Sequence, residues 1–276
     1  MPAQIMPAQT ELAQTKPAQA ARGDLGPNQL AVRLGLTRWQ LRLGREHGLL
    51  PEPDLDGERW SARLAGECAD RRDQVAARFG DEPPVGAIRA ASRLAVRTGL
   101  DVERRDVEVL VAREDLDVVS SFRGHPLYLL RDLDALDPRA VREVVSARKG
   151  PLFDSVDAGG AVAILGWPRK TFDRIAGERA LATDRFGRYA LADIHALAAD
   201  EDLAQEVRDE KLRRALAKSR RAETDIEDVV RGWMLRCTAY LDRDADQPPD
   251  PALLGRAIRS LVGTRAESAG YERESV

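Results

Sequence analysis

The sequence predicts a mainly α-helical chain of tandem small units with a helical C-terminal appendage, and three observations predict it. Apolar residues make up 43% of the chain but aromatics only 5%, which suits small cores of Leu, Ala and Val rather than large aromatic-filled sheets. A seven-residue segment, Leu30-Ala31-Val32-Arg33-Leu34-Gly35-Leu36, returns as Leu94-Ala95-Val96-Arg97-Thr98-Gly99-Leu100 with one substitution, and more loosely as Ala161 to Trp167. Each copy leads into a second helix-like run and then a polar hairpin. A recurring pattern of this kind marks repeated supersecondary units.

In chain order, residues 1–25 carry Pro-Ala-Gln three times, at Pro2, Pro7 and Pro17. Such a segment cannot bury enough apolar surface to offset its ordering entropy, so a disordered tail is expected. The first unit is expected at 26–78. A short apolar helix ends at Gly35, Thr37 is placed to cap a second helix from Arg38 to His47, and Asp56-Gly57-Glu58-Arg59-Trp60 forms a tight hairpin. The second unit, 84–149, has its helices either side of Gly99 and its hairpin at Phe122 to Tyr128, followed by the helix Leu130 to Leu136. The third, 154–200, turns at Gly166, starts its second helix near Pro168, and has a hairpin at Phe186 to Tyr189 before the helix Leu191 to Leu197. Residues 201–267 are expected as a helical region of three pieces: a charged helix ending at Arg221, a second from Asp225 to Leu241, and a short amphipathic one from Ala252 to Val262. Gln247-Pro248-Pro249-Asp250-Pro251 breaks the chain before the last. A tail is expected at 268–276.

Charge restricts function. Lys+Arg 43 against Asp+Glu 46 leaves a formal net charge of -3, so a polyanion would have to be held by local arginine clusters rather than by the whole surface. Cys68 and Cys237 lack zinc-site or disulfide-framework spacing and are expected as reduced thiols of a cytoplasmic protein. No metal, cofactor or catalytic set is expected: His47, His125 and His195 stand singly, and no GxSxG, HExxH or phosphate-loop pattern occurs. No apolar run is long enough for a membrane span.

Arg38, Arg42 and Arg45 fall at i, i+4 and i+7, hence on one helical face, and guanidinium forks in a row suit phosphates and guanine edges. Trp39 and Leu43, like Phe172 and Ile175 in the third unit, are spaced to face a core. The second unit differs: Asp101, Glu103, Asp106 and Glu108 outnumber Arg104 and Arg105 on its second helix, which would repel phosphate and suits a spacer or a protein-docking copy.

The run Thr37, Leu41-Arg42, Glu46, Gly48-Leu49-Leu50-Pro51 and Gly57 to Trp60 resembles the DNA-binding domain of MerR-type regulators. Residues 159–197, with Thr171, Arg174, Gly177 and Gly187-Arg188-Tyr189-Ala190-Leu191-Ala192-Asp193-Ile194, are similar to its excisionase-like branch. The resemblance implies tandem winged helix-turn-helix units, each with its second helix in the major groove and its wing on the adjacent backbone or minor groove. It implies double-stranded DNA as the partner and Thr37, Arg38, Arg42 and Arg45, with Arg59 on the wing, as contacts from the first unit. From the third it implies Arg169, Lys170, Thr171 and Arg174, with Arg188 on the wing. Such a protein is expected to be a bacterial, nucleoid-associated transcriptional regulator or architectural factor and not an enzyme. The alternatives are a winged-helix protein-interaction scaffold and an excisionase-like recombination accessory factor. Unlike full-length MerR regulators, the sequence shows no long sustained heptad helix for dimerisation. Tandem units are expected to take the place of dimerisation, and a protein partner would be met by the second unit or the C-terminal helices.

Overall fold

The computed structural model describes residues 24–274, of which 67% are helical, with two small antiparallel sheets. Three times the chain builds a helix, a left-handed glycine and a second helix. These are α1 (Pro27–Leu34) and α2 (Arg38–Glu46), with α3 (Ala62–Phe79) following; α4 (Ala87–Thr98) and α5 (Arg104–Ala112), with α6 (Leu130–Ala135) and α7 (Pro138–Lys149) following; and α8 (Ala158–Leu165) and α9 (Arg169–Glu178), with α10 (Leu191–Ala199) following. The junction glycines Gly35, Gly99 and Gly166 have φ of 64°, 66° and 62°. At Gly99 the requirement is double, because an added Cβ would also come within 2.9 Å of the His195 ring.

Each hairpin gains a strand partner that the sequence reading does not include. The residue entering each first helix pairs antiparallel with the far side of the hairpin: Leu25 with Trp60, β1 (Val85–Gly86) with β3 (His125–Tyr128), and β4 (Ser155–Val156) with β5 (Tyr189–Ala190). The second hairpin, β2 (Ser120–Phe122) with β3, turns on two consecutive left-handed residues, Arg123 and Gly124. That geometry matches the twist of a two-residue hairpin. Residues 1–23 of the expected tail lie outside the described residues, whereas Leu25 is anchored by backbone hydrogen bonds of 2.9 and 3.0 Å to Trp60.

The three copies do not form three compact bodies. One unit comprises the described part of Met1–Leu94 with Val102–Val144, and the other takes Ala95–Asp101 with the described part of Val145–Val276. In the first, Leu30, Leu34, Leu43, Trp60, Leu64, Val75 and Phe79 form a core that Val119 and Leu129 of the second copy join. The second unit buries Val156, Phe172, Ile175, Ile194 and Leu203, and its Lys149 ammonium donates to Asp101 (2.8 Å) and to the Ser155 carbonyl (2.5 Å).

The C-terminal region departs most from expectation. A single helix, α11 (Glu201–Leu241), replaces the two expected, since neither Gly nor Pro interrupts residues 218–225. α12 (Pro251–Glu274) runs through the expected tail at 268–274. Ser268 is buried there and shares a 2.9 Å hydrogen bond with Ser219. α11 and α12 pack antiparallel, and their facing residues (Ile226, Val230, Trp233, Cys237 against Leu254, Ala257, Leu261, Thr264, Ser268) step by alternating threes and fours. That is a short heptad-like seam within the chain, between two helices that the sequence reading does not pair.

Two caps give the fold an acid-sensitive component. Asp54 accepts the backbone N–H and hydroxyl of Ser61, which caps α3, and Asp200 accepts the Leu203 N–H at the start of α11. These hydrogen bonds, led by the Ser61 hydroxyl at Asp54 and the Leu203 amide at Asp200, depress both carboxyls below the usual range. A depressed folded value means that stabilisation is present above the unfolded pKa and lost as pH falls through the folded one. Amide exchange at Ser61 and Leu203 should therefore accelerate relative to neighbouring amides below about pH 4 and hold steady above it. An unchanged ratio would show that the caps do not contribute.

Candidate nucleic-acid interface

In the first unit, α2 is fixed at its start by a reciprocal cap. Thr37 accepts the Gln40 N–H (3.4 Å), Gln40 Oε1 accepts the Thr37 N–H (2.8 Å), and Gln40 Nε2 donates to the Gly80 carbonyl (2.6 Å). Leu41 and Leu43 are buried and Trp39 is half-buried, which leaves the arginines outward. Arg38 is exposed, with no ion pair or side-chain hydrogen bond among the described residues. Arg42 is partly exposed and lies 3.3 Å from Glu46. Arg45 is committed elsewhere: its guanidinium binds Glu52 and lies 5.4 Å from the Trp60 ring centroid. Arg59 is committed too, donating to the Asp24 carbonyl (2.7 Å). Of the four arginines expected in this unit, Arg38 and Arg42 remain available.

The β2–β3 hairpin lies beside α2. Ser120 donates to Glu46 (2.6 Å) and His47 Nε2 donates to the Val119 carbonyl (2.7 Å), so the histidine is a clasp between copies rather than a free surface group. Between helix and hairpin is an open groove of about 670 Å³ lined by Arg38, Trp39, Arg42, Pro84, Phe122 and Leu127, among others. Phe122 is 53% exposed, and the Arg123 guanidinium lies 5.3 Å from its ring centroid. The sequence reading does not assign Arg123 and Phe122 to the interface. Their signal was available in the Phe122-Arg123-Gly124 turn, which matches the glycine-and-arginine hairpins of the other copies.

The acidic appearance of α5 is partly internal. Asp106 is 1% exposed and caps its own helix by accepting the Glu103 N–H (2.8 Å), and Glu108 pairs with Arg104 (2.8 Å). In the second unit, Asp101 is buried against Lys149. These carboxylates cannot present the continuous repulsive face expected from the sequence.

α9 in the second unit is a larger correction. Thr171 is 1% exposed, because its place beside Phe172 falls on the inward side of the helix, and so it cannot touch a surface ligand. Arg174 donates to Glu178 (2.8 Å) and Glu206 (2.7 Å) and lies 3.7 Å from Glu210, so α11 supplies carboxylates that the local sequence could not reveal. These partners hold its guanidinium more firmly protonated and neutralise it locally. Arg169 pairs with Asp173 (2.8 Å), and the Arg188 Nε, like that of Arg42, is buried without a hydrogen-bond partner among the described residues. Lys170, exposed and without an ion pair among the described residues, matches the expected cation, and Arg188, partly exposed and without an ion pair among the described residues, remains available as Arg42 does.

Both cysteines are free, and among the described residues no group of three His, Cys, Asp or Glu side chains converges to hold a metal. No described helix is long and apolar enough to cross a membrane. No family model, curated protein or solved structure matches the chain.

Proposed function

We propose that the protein binds double-stranded DNA through the outer face of α2 and the neighbouring β2–β3 hairpin, as a regulator or architectural factor built from winged helix-turn-helix units of MerR and excisionase type. The observation that carries this is the pairing of Arg38 and Arg42, one turn apart on a helix fixed by a glycine turn and a cap, with the Arg123 hairpin beside them. A helix held this way can offer side chains to base edges while the hairpin arginine meets phosphate. The anionic total is no obstacle, because affinity depends on the few phosphates neutralised locally. Selection from a random duplex pool followed by protection mapping tests the reading: an enriched sequence with a short footprint is expected, and absence of enrichment contradicts it.

A second reading, a winged-helix copy that docks protein rather than DNA, is favoured for α9 by the carboxylates around Arg174. The expected result for Arg174→Ala is DNA affinity within about threefold of wild type, under 1 kcal/mol. A loss beyond tenfold would place α9 on the DNA.

A further inference from the structure

The α11–α12 pair is a two-helix layer, and two helices alone cannot enclose a core. Its seam shows this: Ile226, Val230, Trp233, Leu254 and Leu261 are only half-buried, although they face the partner helix. Beyond the seam, the distal half keeps Met234 (58% exposed), Leu241 (74%), Ile258 (46%) and Val262 (64%) in the open. At 100° per residue, Met234 and Leu241 lie to one side of the α11 seam, and Ile258 and Val262 to the matching side of the α12 seam. Because the helices run antiparallel, these four form one continuous face. Nearer the start of the pair that same side is closed by ion pairs instead: Arg265 with Glu223 and Glu227, and Arg220 with Glu272.

We propose that this face is a self-association surface, and that a second copy of the chain packs its own α11–α12 pair against it to complete a four-helix bundle. Area favours such an occupant. The four exposed residues present roughly 500 Å² of surface, more than half of the ~800 Å² that each partner brings to a standard interface. A two-fold axis through the apolar face would let each copy present the same four side chains to the other.

The inference does not depend on DNA binding and is tested without it. Sedimentation of the full chain at micromolar concentration should give twice the 30.4 kDa of one chain. Leu241→Lys with Val262→Lys should give a single-chain mass with unchanged helical circular dichroism. Should the lysine variant lose helicity, Leu241→Ala with Val262→Ala, which favours helix, must raise the dissociation constant at least tenfold. A wild type of single-chain mass throughout, leaving the face to another protein or to another part of the chain, overturns the proposal, as does a dimer that the alanine variant leaves unchanged.

Discussion

Replacing Arg38 and Arg42 together by alanine is expected to weaken association with duplex DNA about 100-fold, since arginine contacts to base or phosphate cost about 1–3 kcal/mol each. Both side chains point away from the core formed by Leu41 and Leu43, so helicity and melting temperature should change little. Among the described residues the ion pair lost is the half-exposed one of Arg42 with Glu46, worth at most about 1 kcal/mol. The control is Arg45→Ala. Because Arg45 is bound to Glu52 and lies over Trp60, its loss should act on stability more than on affinity. Equal losses of affinity from Arg38 and Arg45 would mean that the pairing seen for Arg45 does not persist when DNA is present.

The second large effect is on the fold. Asp101→Ala is expected to destabilise the second unit by about 3–5 kcal/mol, the usual cost of stranding one partner of a buried ion pair. The Lys149 ammonium is 2% exposed, and its other contact is the Ser155 carbonyl, which cannot neutralise it. Asp101 also fills the space against α8, where a Cβ on Gly160 would stand 2.4 Å from its Oδ1. Gly160→Ala should therefore destabilise the same unit by displacing the carboxylate. The combined change Asp101→Asn with Lys149→Met removes both charges and should recover most of the stability. Denaturant unfolding of the three variants checks this. An Asp101→Ala protein as stable as wild type would show that the pair contributes nothing.

What the sequence made legible follows from which forces are local. Gly35, Gly99 and Gly166 mark the turns because a left-handed residue is chosen by its own backbone, and Thr37 caps α2 through a residue only three positions away. The strand partners Leu25, Val85 and Val156 were harder to find, since their pairing spans 33 to 43 residues and each contributes a single apolar side chain. The fates of the arginines were harder still. Arg38 has an arginine one turn on where Arg174 has Glu178, a local difference, but Glu206 and Glu210 are brought to Arg174 by a helix more than thirty residues downstream. Asp106 read as a surface acid because burial of a cap is decided by packing, not by spacing. The seam of α11 and α12 is obscure in sequence because Ser219, Cys237, Thr264 and Ser268 stand at positions that leucine or isoleucine fills in a regular heptad.

The most direct test is the salt dependence of affinity for the selected duplex, measured by fluorescence anisotropy for wild type and for Arg38→Ala. If guanidinium groups on α2 and the β2–β3 hairpin displace counterions, log K should fall against log salt with a slope of about -2 or steeper, and Arg38→Ala should flatten it by about 1. A wild-type slope near zero, or no association at low ionic strength, would contradict the assignment.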